Sequence, residues 1–271
     1  MNIQNTRRLA AISRELHAIA RKEERRRMAA LRSRPPRWKQ ELESKLPEKV
    51  YAGLESAFCK AFSLVFQKGS PLLEKTFRKE EILADHRVSD EAVRRRGSRS
   101  ELRYMKKSAG YANLGNLTMT TVEGIGLGAL GIGLPDIVLF IATLLKGIYE
   151  TALHYGYSYE SRAEQMLILK MMEASLASGE DWERLHTEVD KLLVHGPTPV
   201  SDEVFAQQLQ QTASAFAMDM LLLKFIQGLP VVGILGGAAN GIYYQKVMRS
   251  VDVKYRKRYL WQILKQERTR K

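Results

Sequence analysis

Three side chains in the middle of the chain could do acid–base chemistry: Asp136, Glu150 and His154. Glu150 and His154 are four residues apart, the spacing at which helical side chains are neighbours. Asp136 lies about five turns earlier on the same expected helix. These residues are the candidate catalytic set of an enzyme that acts on a lipid or apolar substrate, with Asp136 as acid or base. The Glu–His spacing is also common on helices without any catalytic role.

Charged side chains interrupt two otherwise apolar regions, and buried charges must be paired or have their pKa shifted. They are Glu123, Asp136, Lys146, Asp219 and Lys224. A Lys–Asp pair that joins the two regions would be structural. A site for a proton, an ion or a headgroup is the alternative, because perturbed groups cluster at functional sites.

The sequence predicts neither a cofactor nor a metal site. Residues 126–131 read GLGALG and formally match the dinucleotide fingerprint, which requires a preceding strand. The context here is helical instead. Glu183 and His186 have the spacing of half a di-iron motif, but such a site needs a second copy and further glutamates. A single cysteine, Cys59, is consistent with a reducing compartment and predicts a cytoplasmic protein.

Two glycine-rich apolar stretches, residues 124–136 and 228–241, stand at the start of the two apolar regions. Glycine inside a helix costs about 1 kcal/mol relative to alanine, so several in register indicate close packing of another backbone. We expect the two stretches to pack together at the centre of the fold. The glycines expected at this contact are Gly124, Gly128, Gly233, Gly237 and Gly241.

Helical periodicity runs through most of the chain and no convincing strand pattern occurs, which predicts an all-α, single-domain helical bundle. Pro135 should open a helix that runs to about Tyr155 and stops at Gly156. Ser161 and Glu164 have the form of a capping box at the next helix start. Further helices are expected over residues 178–194, 201–227 and from 230 into the C-terminal segment.

The net charge of +13 is concentrated at the two ends of the chain. Residues 1–34 carry ten Lys and Arg against three acids, and residues 246–271 carry ten against two. Residues 1–35 therefore read as a basic amphipathic arm, which could bind a membrane surface, dock on its own domain or bind a partner helix. A solvated helix without a dedicated ligand is a further alternative. The helical domain is expected over residues 36–271.

The basic ends favour anionic partners, and the apolar stretches favour anionic lipid or a membrane protein over nucleic acid. Nucleic acid stays an alternative partner, although no recognition motif for it is present. The expected lipid-binding residues are Arg7, Arg8, Arg21, Lys22, Arg25, Arg26, Arg27, Lys254, Arg256, Lys257 and Arg258.

A single straight membrane span is disfavoured over Gly124 to Ile148. Its thirteen Leu, Ile, Val and Phe residues gain about 0.3–0.6 kcal/mol each, about 6 kcal/mol in all. Asp136 at the midpoint, which costs about 2.5–3.5 kcal/mol, together with Lys146 and the glycines roughly cancels that gain. Two bent, partly inserted hairpins or a buried core with polar pairs fit better, and of these we favour a core that can dock on lipid.

The sequence resembles the EcsC family of bacterial proteins, through residues 126–140, 148–157, 162–169 and 229–240. The resemblance covers roughly residues 36–265 and leaves the basic arm outside. Because the family is named for a gene beside ABC-transporter subunits, the resemblance implies a helical bacterial protein linked to membrane transport or its regulation. Together with the basic ends, it leads us to expect an accessory protein of ABC-type transport or another membrane process at the inner membrane face. It implies no reaction and no catalytic residues.

Overall fold

The computed structural model describes residues 3–32, 48–115, 135–226 and 238–269. These ranges are helical apart from short turns and contain no strand, which confirms the predicted all-α helical bundle. A π-helical turn, Val65–Gly69, joins α2 to α3. The helices are α1 (Ile3–Arg32), α2 (Glu48–Leu64), α3 (Ser70–Glu74), α4 (Lys79–Arg95), α5 (Arg99–Gly115), α6 (Pro135–His154), α7 (Arg162–Leu176), α8 (Gly179–His195), α9 (Asp202–Ile226) and α10 (Ala238–Thr269).

Helix α6 is the apolar centre of the bundle and contacts α2, α4, α5 and α10. Its residues Ile141, Leu144 and Ile148 are fully buried. Pro135 occupies the first turn, where a missing N–H leaves no hydrogen bond unmade. The helix ends just before Gly156, whose φ of +80° suits glycine. Both predicted limits are thus confirmed.

The window Ile137–His154 of α6 is long and apolar enough to cross a membrane, with a mean hydropathy of 1.4. However, 94% of that window is buried inside the protein, and the core helix of a bundle passes the same test. The first part of the segment from Gly124 lies outside the described residues, so the expectation about a straight span there stays a prediction.

Helix α10 crosses α6 at Gly147, where an added Cβ would overlap the hydroxyl of Tyr244. Gly241 lies in the first turns of α10. The other four glycines expected at the centre are outside the described residues, so direct packing of the two glycine stretches stays a prediction. The helices that follow the two stretches do pack on each other.

Helices α2, α7 and α9 form the rest of the core, which is continuous with α6 because the rings of Phe216 and Phe140 of α6 lie 6.2 Å apart. Helix α7 contacts α8, α9 and α10, and α9 packs along α2. Phe216 of α9 lies between Phe58 and Phe62 of α2, with ring centroids 5.6 and 5.8 Å apart.

Helix α1 packs across α8 and α10 rather than extending from the domain. Ile12 and Ile19 on its apolar face are buried. Among the interpretations of the basic amphipathic segment, docking on its own domain describes α1. The expected boundary at residue 35 lies outside the described residues.

Candidate anion-binding groove

Two lysines of α10 share a buried cluster with two carboxylates. Lys254 Nζ lies 2.8 Å from Glu23 Oε1 of α1 and 2.7 Å from Asp190 Oδ1 of α8. Lys257 Nζ lies 2.6 and 2.7 Å from the second oxygens of the same carboxylates. Burial alone would raise the pKa of Asp190, but the two ammonium groups outweigh it and lower that pKa. Two cations and two anions therefore neutralise each other between three helices.

The two arginines of this segment are also paired internally. Arg256 is buried and forms an ion pair with Glu15 of α1. Arg258 Nη1 lies 2.8 Å from Glu164 Oε1 of α7, which also accepts a hydrogen bond of 2.9 Å from the Tyr255 hydroxyl. Both carboxylates belong to other helices, so the two arginines fasten α10 to the bundle.

The placement of the four C-terminal cations corrects the expectation that they face anionic lipid. Lys254, Arg256 and Lys257 are buried, and Arg258 is bound to a buried carboxylate. The segment read as a basic tail is a central helix of the bundle. A buried charge needs a partner of opposite sign, and each of these cations has one within the protein.

The cations of α1 divide into two groups. Arg8 pairs with Glu267 at 2.6 Å, and Arg27 pairs with Glu24 at 2.9 Å and with Glu183 at 3.2 Å. The others expected to bind lipid are exposed, and none forms an ion pair within the described part of the chain. They are Arg7, Arg21, Lys22, Arg25 and Arg26.

An arginine-lined groove runs between α1 and the start of α5. It consists of two adjoining depressions of about 970 and about 630 Å³. Arg14, Arg99 and Arg103 line both. The first depression adds Arg21 and His17, and the second adds Arg7 and Arg96. The two depressions together are the arginine groove, which is lined by six arginines: Arg7, Arg14, Arg21, Arg96, Arg99 and Arg103.

Two carboxylates, Glu15 and Glu24, line the first depression, and a third, Glu101, lies in the first turn of α5; all three are engaged with other groups. Glu15 pairs with Arg256, and Glu24 with Arg27. Glu101 caps α5 by accepting hydrogen bonds from the hydroxyl and the backbone N–H of Ser98, the former being the main cause of its lowered pKa. Among the residues that the structure describes, no carboxylate forms an ion pair with any arginine of the groove. Its positive charge is therefore available to an anionic ligand.

The turn before α5 positions the groove. Gly97 has a φ of +55°, and an added Cβ there would overlap the side chain of Arg8. Arg8 also donates a hydrogen bond to the carbonyl of Arg94 at the end of α4. The start of α1 is thus held against this turn, so Arg7 and Arg14 of α1 and Arg96 of the turn line the same depression.

Sequence reasoning missed Arg14, Arg96, Arg99 and Arg103. One available signal was spacing, because Arg7, Arg14 and Arg21 recur every seven residues and therefore lie nearly in line along α1. The convergence of α1 on α5 has no sequence signal, since it is a tertiary contact.

The acid–base candidates are only partly brought together. Glu150 and His154 are buried in α6, and Glu150 lies 4.0 Å from Lys146. Burial lowers the pKa of His154, whose carbonyl is 3.0 Å from His86 Nδ1. The Asp136 side chain is outside the described residues, so the complete catalytic set stays a prediction. In the ranges with assigned structure, no group of three or more His, Cys, Asp or Glu residues could hold a metal ion.

Two of the five charged residues of the apolar regions have ion pairs in the described structure, and a Lys–Asp pair that joins the two regions through the others stays a prediction. Asp219 of α9 lies 3.2 Å from Lys246 of α10, while Lys146 pairs with Glu150 on its own helix. These contacts join neighbouring helices or successive turns, not the two glycine stretches. The side chains of Glu123, Asp136 and Lys224 are outside the described residues.

Comparison with known proteins gives one match, the model of the EcsC protein family over residues 10–260. No curated protein and no solved structure matches the chain. The matched region begins inside α1, so the expectation that the resemblance starts after the basic arm is wrong. Since the match covers most of the chain, the protein belongs to the EcsC family.

Proposed function

We propose that the protein is a non-enzymatic accessory protein of the cytoplasmic membrane face, held on anionic lipid by the arginine groove. From there it supports a membrane process such as ABC-type transport, with lipid or a membrane protein as its partner. One observation carries the proposal: the cations of α10 are neutralised inside the fold, while those of the arginine groove have no ion pair among the described residues.

Charge near the surface supplies the attraction. A Lys or Arg near an anionic bilayer contributes about 1 kcal/mol, so six arginines on one face can hold a protein of this size reversibly. The exposed cations of α1 that lie outside the groove, such as Arg25 and Arg26, add to the same attraction.

Exposed apolar side chains accompany these cations. Met28 continues the seven-residue series of Arg7, Arg14 and Arg21 along α1 and is exposed. Tyr104 on α5 is 62% exposed beside Arg103. Tyrosine is favoured at membrane–water interfaces, and an apolar side chain beside cations suits shallow insertion between headgroups.

Vesicle sedimentation tests the proposal. We expect binding to phosphatidylcholine vesicles containing phosphatidylglycerol, release at high salt, and little binding to pure phosphatidylcholine. The variant R14Q/R99Q/R103Q should bind about a hundredfold more weakly, since about 3 kcal/mol of attraction is lost.

A matched variant separates position from net charge. K60Q/K75Q/K191Q removes three exposed cations of α2, the α3–α4 turn and α8, none of which lines the arginine groove. It should bind nearly as well as the unmodified protein. Equal weakening by both triple variants, or salt-resistant binding to neutral vesicles, would contradict the proposal. Binding to duplex DNA that is tighter than binding to the anionic vesicles, measured by gel shift at physiological salt, would favour the nucleic-acid alternative.

A further inference from the structure

We infer that the arginine groove recognises a lipid headgroup that carries two phosphates, with one phosphate in each depression. The inference rests on the proposed function and adds the class of lipid. Lipids with one phosphate each would also be attracted to the basic face, but two separate lipid molecules would be needed to occupy the two depressions.

The distribution of arginines matches two linked anions. Arg14, Arg99 and Arg103 lie where the depressions meet, so a phosphate on either side is within their common lining. Each depression also has arginines of its own, Arg21 in the first and Arg7 with Arg96 in the second. A guanidinium offers parallel N–H donors to phosphate oxygens, so each phosphate would meet several such pairs.

Without a bound anion, the arginines of the groove repel one another. Several like charges face one another across a shared boundary, and the nearby Glu15, Glu24 and Glu101 are engaged with other groups. A ligand with two phosphates relieves the repulsion in both depressions at once. Because its phosphates are covalently linked, binding of the first raises the effective concentration of the second.

The lining favours a headgroup over nucleotide bases. Small side chains, among them Ala10, Ala18 and Ala20, leave volumes of about 630 and 970 Å³, each enough for a phosphate with its glycerol or ring. Of the described residues that line the depressions, His17 is the only one with an aromatic ring. Proteins that bind single-stranded nucleic acid stack bases on several aromatic rings.

Vesicles of matched surface charge test the inference. Cardiolipin, with two phosphates, is compared with phosphatidylglycerol at twice its mole fraction, both in phosphatidylcholine. We expect at least about tenfold tighter binding to cardiolipin, the effect of one additional bidentate charged contact. R14Q should reduce this ratio to near one, with an unchanged circular dichroism spectrum and melting temperature to show that it folds.

The control R25Q removes one exposed charge from the same helix, outside the lining of either depression. It should weaken binding to both vesicles by a similar factor and keep the ratio. A ratio near one for the unmodified protein would overturn the inference and leave the proposed function standing. Absence of binding to both anionic vesicles would overturn both.

A soluble competitor separates the source of the phosphates. The deacylated cardiolipin headgroup should displace the protein from cardiolipin vesicles in the millimolar range or below, and R14Q should abolish this competition. Displacement by duplex DNA at lower phosphate concentration than the headgroup would overturn the assignment in favour of a nucleic-acid backbone. A retained preference for cardiolipin without any competition by the headgroup would overturn the inference that the groove binds its two phosphates.

Discussion

The ammonium of Lys254 near the C-terminus lies 2.8 Å from the carboxylate of Glu23 in the first helix, 231 residues earlier. Its side chain is 3% exposed and that of Glu23 is 15% exposed. The contact joins the first helix to the last, because α1 supplies a carboxylate that neutralises the buried lysines of α10. Helix α1 is thereby fixed in the position in which Arg7, Arg14 and Arg21 line the groove beside α5.

Replacing Glu23 with glutamine should destabilise the fold by about 2–3 kcal/mol. Removing one member of a buried ionic cluster leaves an uncompensated charge, which costs about 3–5 kcal/mol for a fully buried pair. The expected value is lower because Glu23 is partly exposed and Asp190 still contacts both lysines. Urea unfolding at neutral pH measures the change.

Glu24 provides the control for this substitution. It is the next residue of α1, and its salt bridge to Arg27 is exposed. Glu24→Gln should leave the unfolding midpoint almost unchanged, since surface pairs contribute little. If the two variants unfolded at the same urea concentration, the Glu23 cluster would not stabilise the docking of α1.

Local signals in the sequence predicted the helix limits well. Pro135 and Gly156 bound α6 as expected, and Ser161 caps α7 by accepting a hydrogen bond of 3.1 Å from the backbone N–H of Glu164. This is one half of the predicted capping box, since the Glu164 carboxylate binds Arg258 and Tyr255. Each of these features depends on residues within a few positions of one another. Such information is contained in any short window of sequence.

The burial of α10 could not be predicted in the same way. A count of charges over residues 246–271 gives a strongly basic segment, and a basic segment normally faces solvent. Its compensating acids, Glu15, Glu23 and Asp190, lie 64 to 241 residues away in the chain. The arginine groove was missed for the same reason, since Arg14 and Arg103 meet only after α1 has docked.

Stability should fall as the pH drops from about 6.5 toward 3, and His186 should account for much of the loss. Burial, assisted by the charges of Lys254 and Arg26 and opposed by Asp190, lowers the pKa of His186 from 6.5 to about 3. The unfolded chain therefore binds the proton more readily in this range, so His186 stabilises fully above pH 6.5 and loses that effect below it. The total is on the order of a few kcal/mol.

Urea midpoints measured between pH 7 and pH 4 test this expectation. His186→Gln should flatten the pH dependence, because the titrating imidazole is gone. His195→Gln, at the exposed end of the same helix, should retain the full slope. A slope that is equally steep in both variants would assign the acid sensitivity to other groups.

Substituting Gly147 tests the crossing of α6 and α10. An alanine Cβ would overlap the Tyr244 hydroxyl and lie 3.3 Å from the sulfur of Met248. Overpacking of this kind costs about 1–3 kcal/mol. Gly110→Ala in α5 has open space and should be neutral or stabilising by up to about 1 kcal/mol. Thermal melts that place both variants above the unmodified protein would contradict close helix packing at Gly147.

Gly97→Ala should both destabilise the protein and weaken its binding to anionic vesicles. A non-glycine residue at φ +55° costs about 1–2 kcal/mol, and the new Cβ would also displace Arg8. Because Arg8 holds the start of α1 against the α4–α5 turn, its displacement should move Arg7 and Arg14 away from Arg99.

Gly179→Ala is the matched control, since its φ is +61° and nothing lies within 4 Å of an added Cβ. Like Gly97→Ala, it should lower the melting temperature, because a non-glycine residue at positive φ is strained. It should leave vesicle binding unchanged. If Gly97→Ala bound cardiolipin vesicles as tightly as Gly179→Ala, the contact between Arg8 and Gly97 would not position the arginine groove.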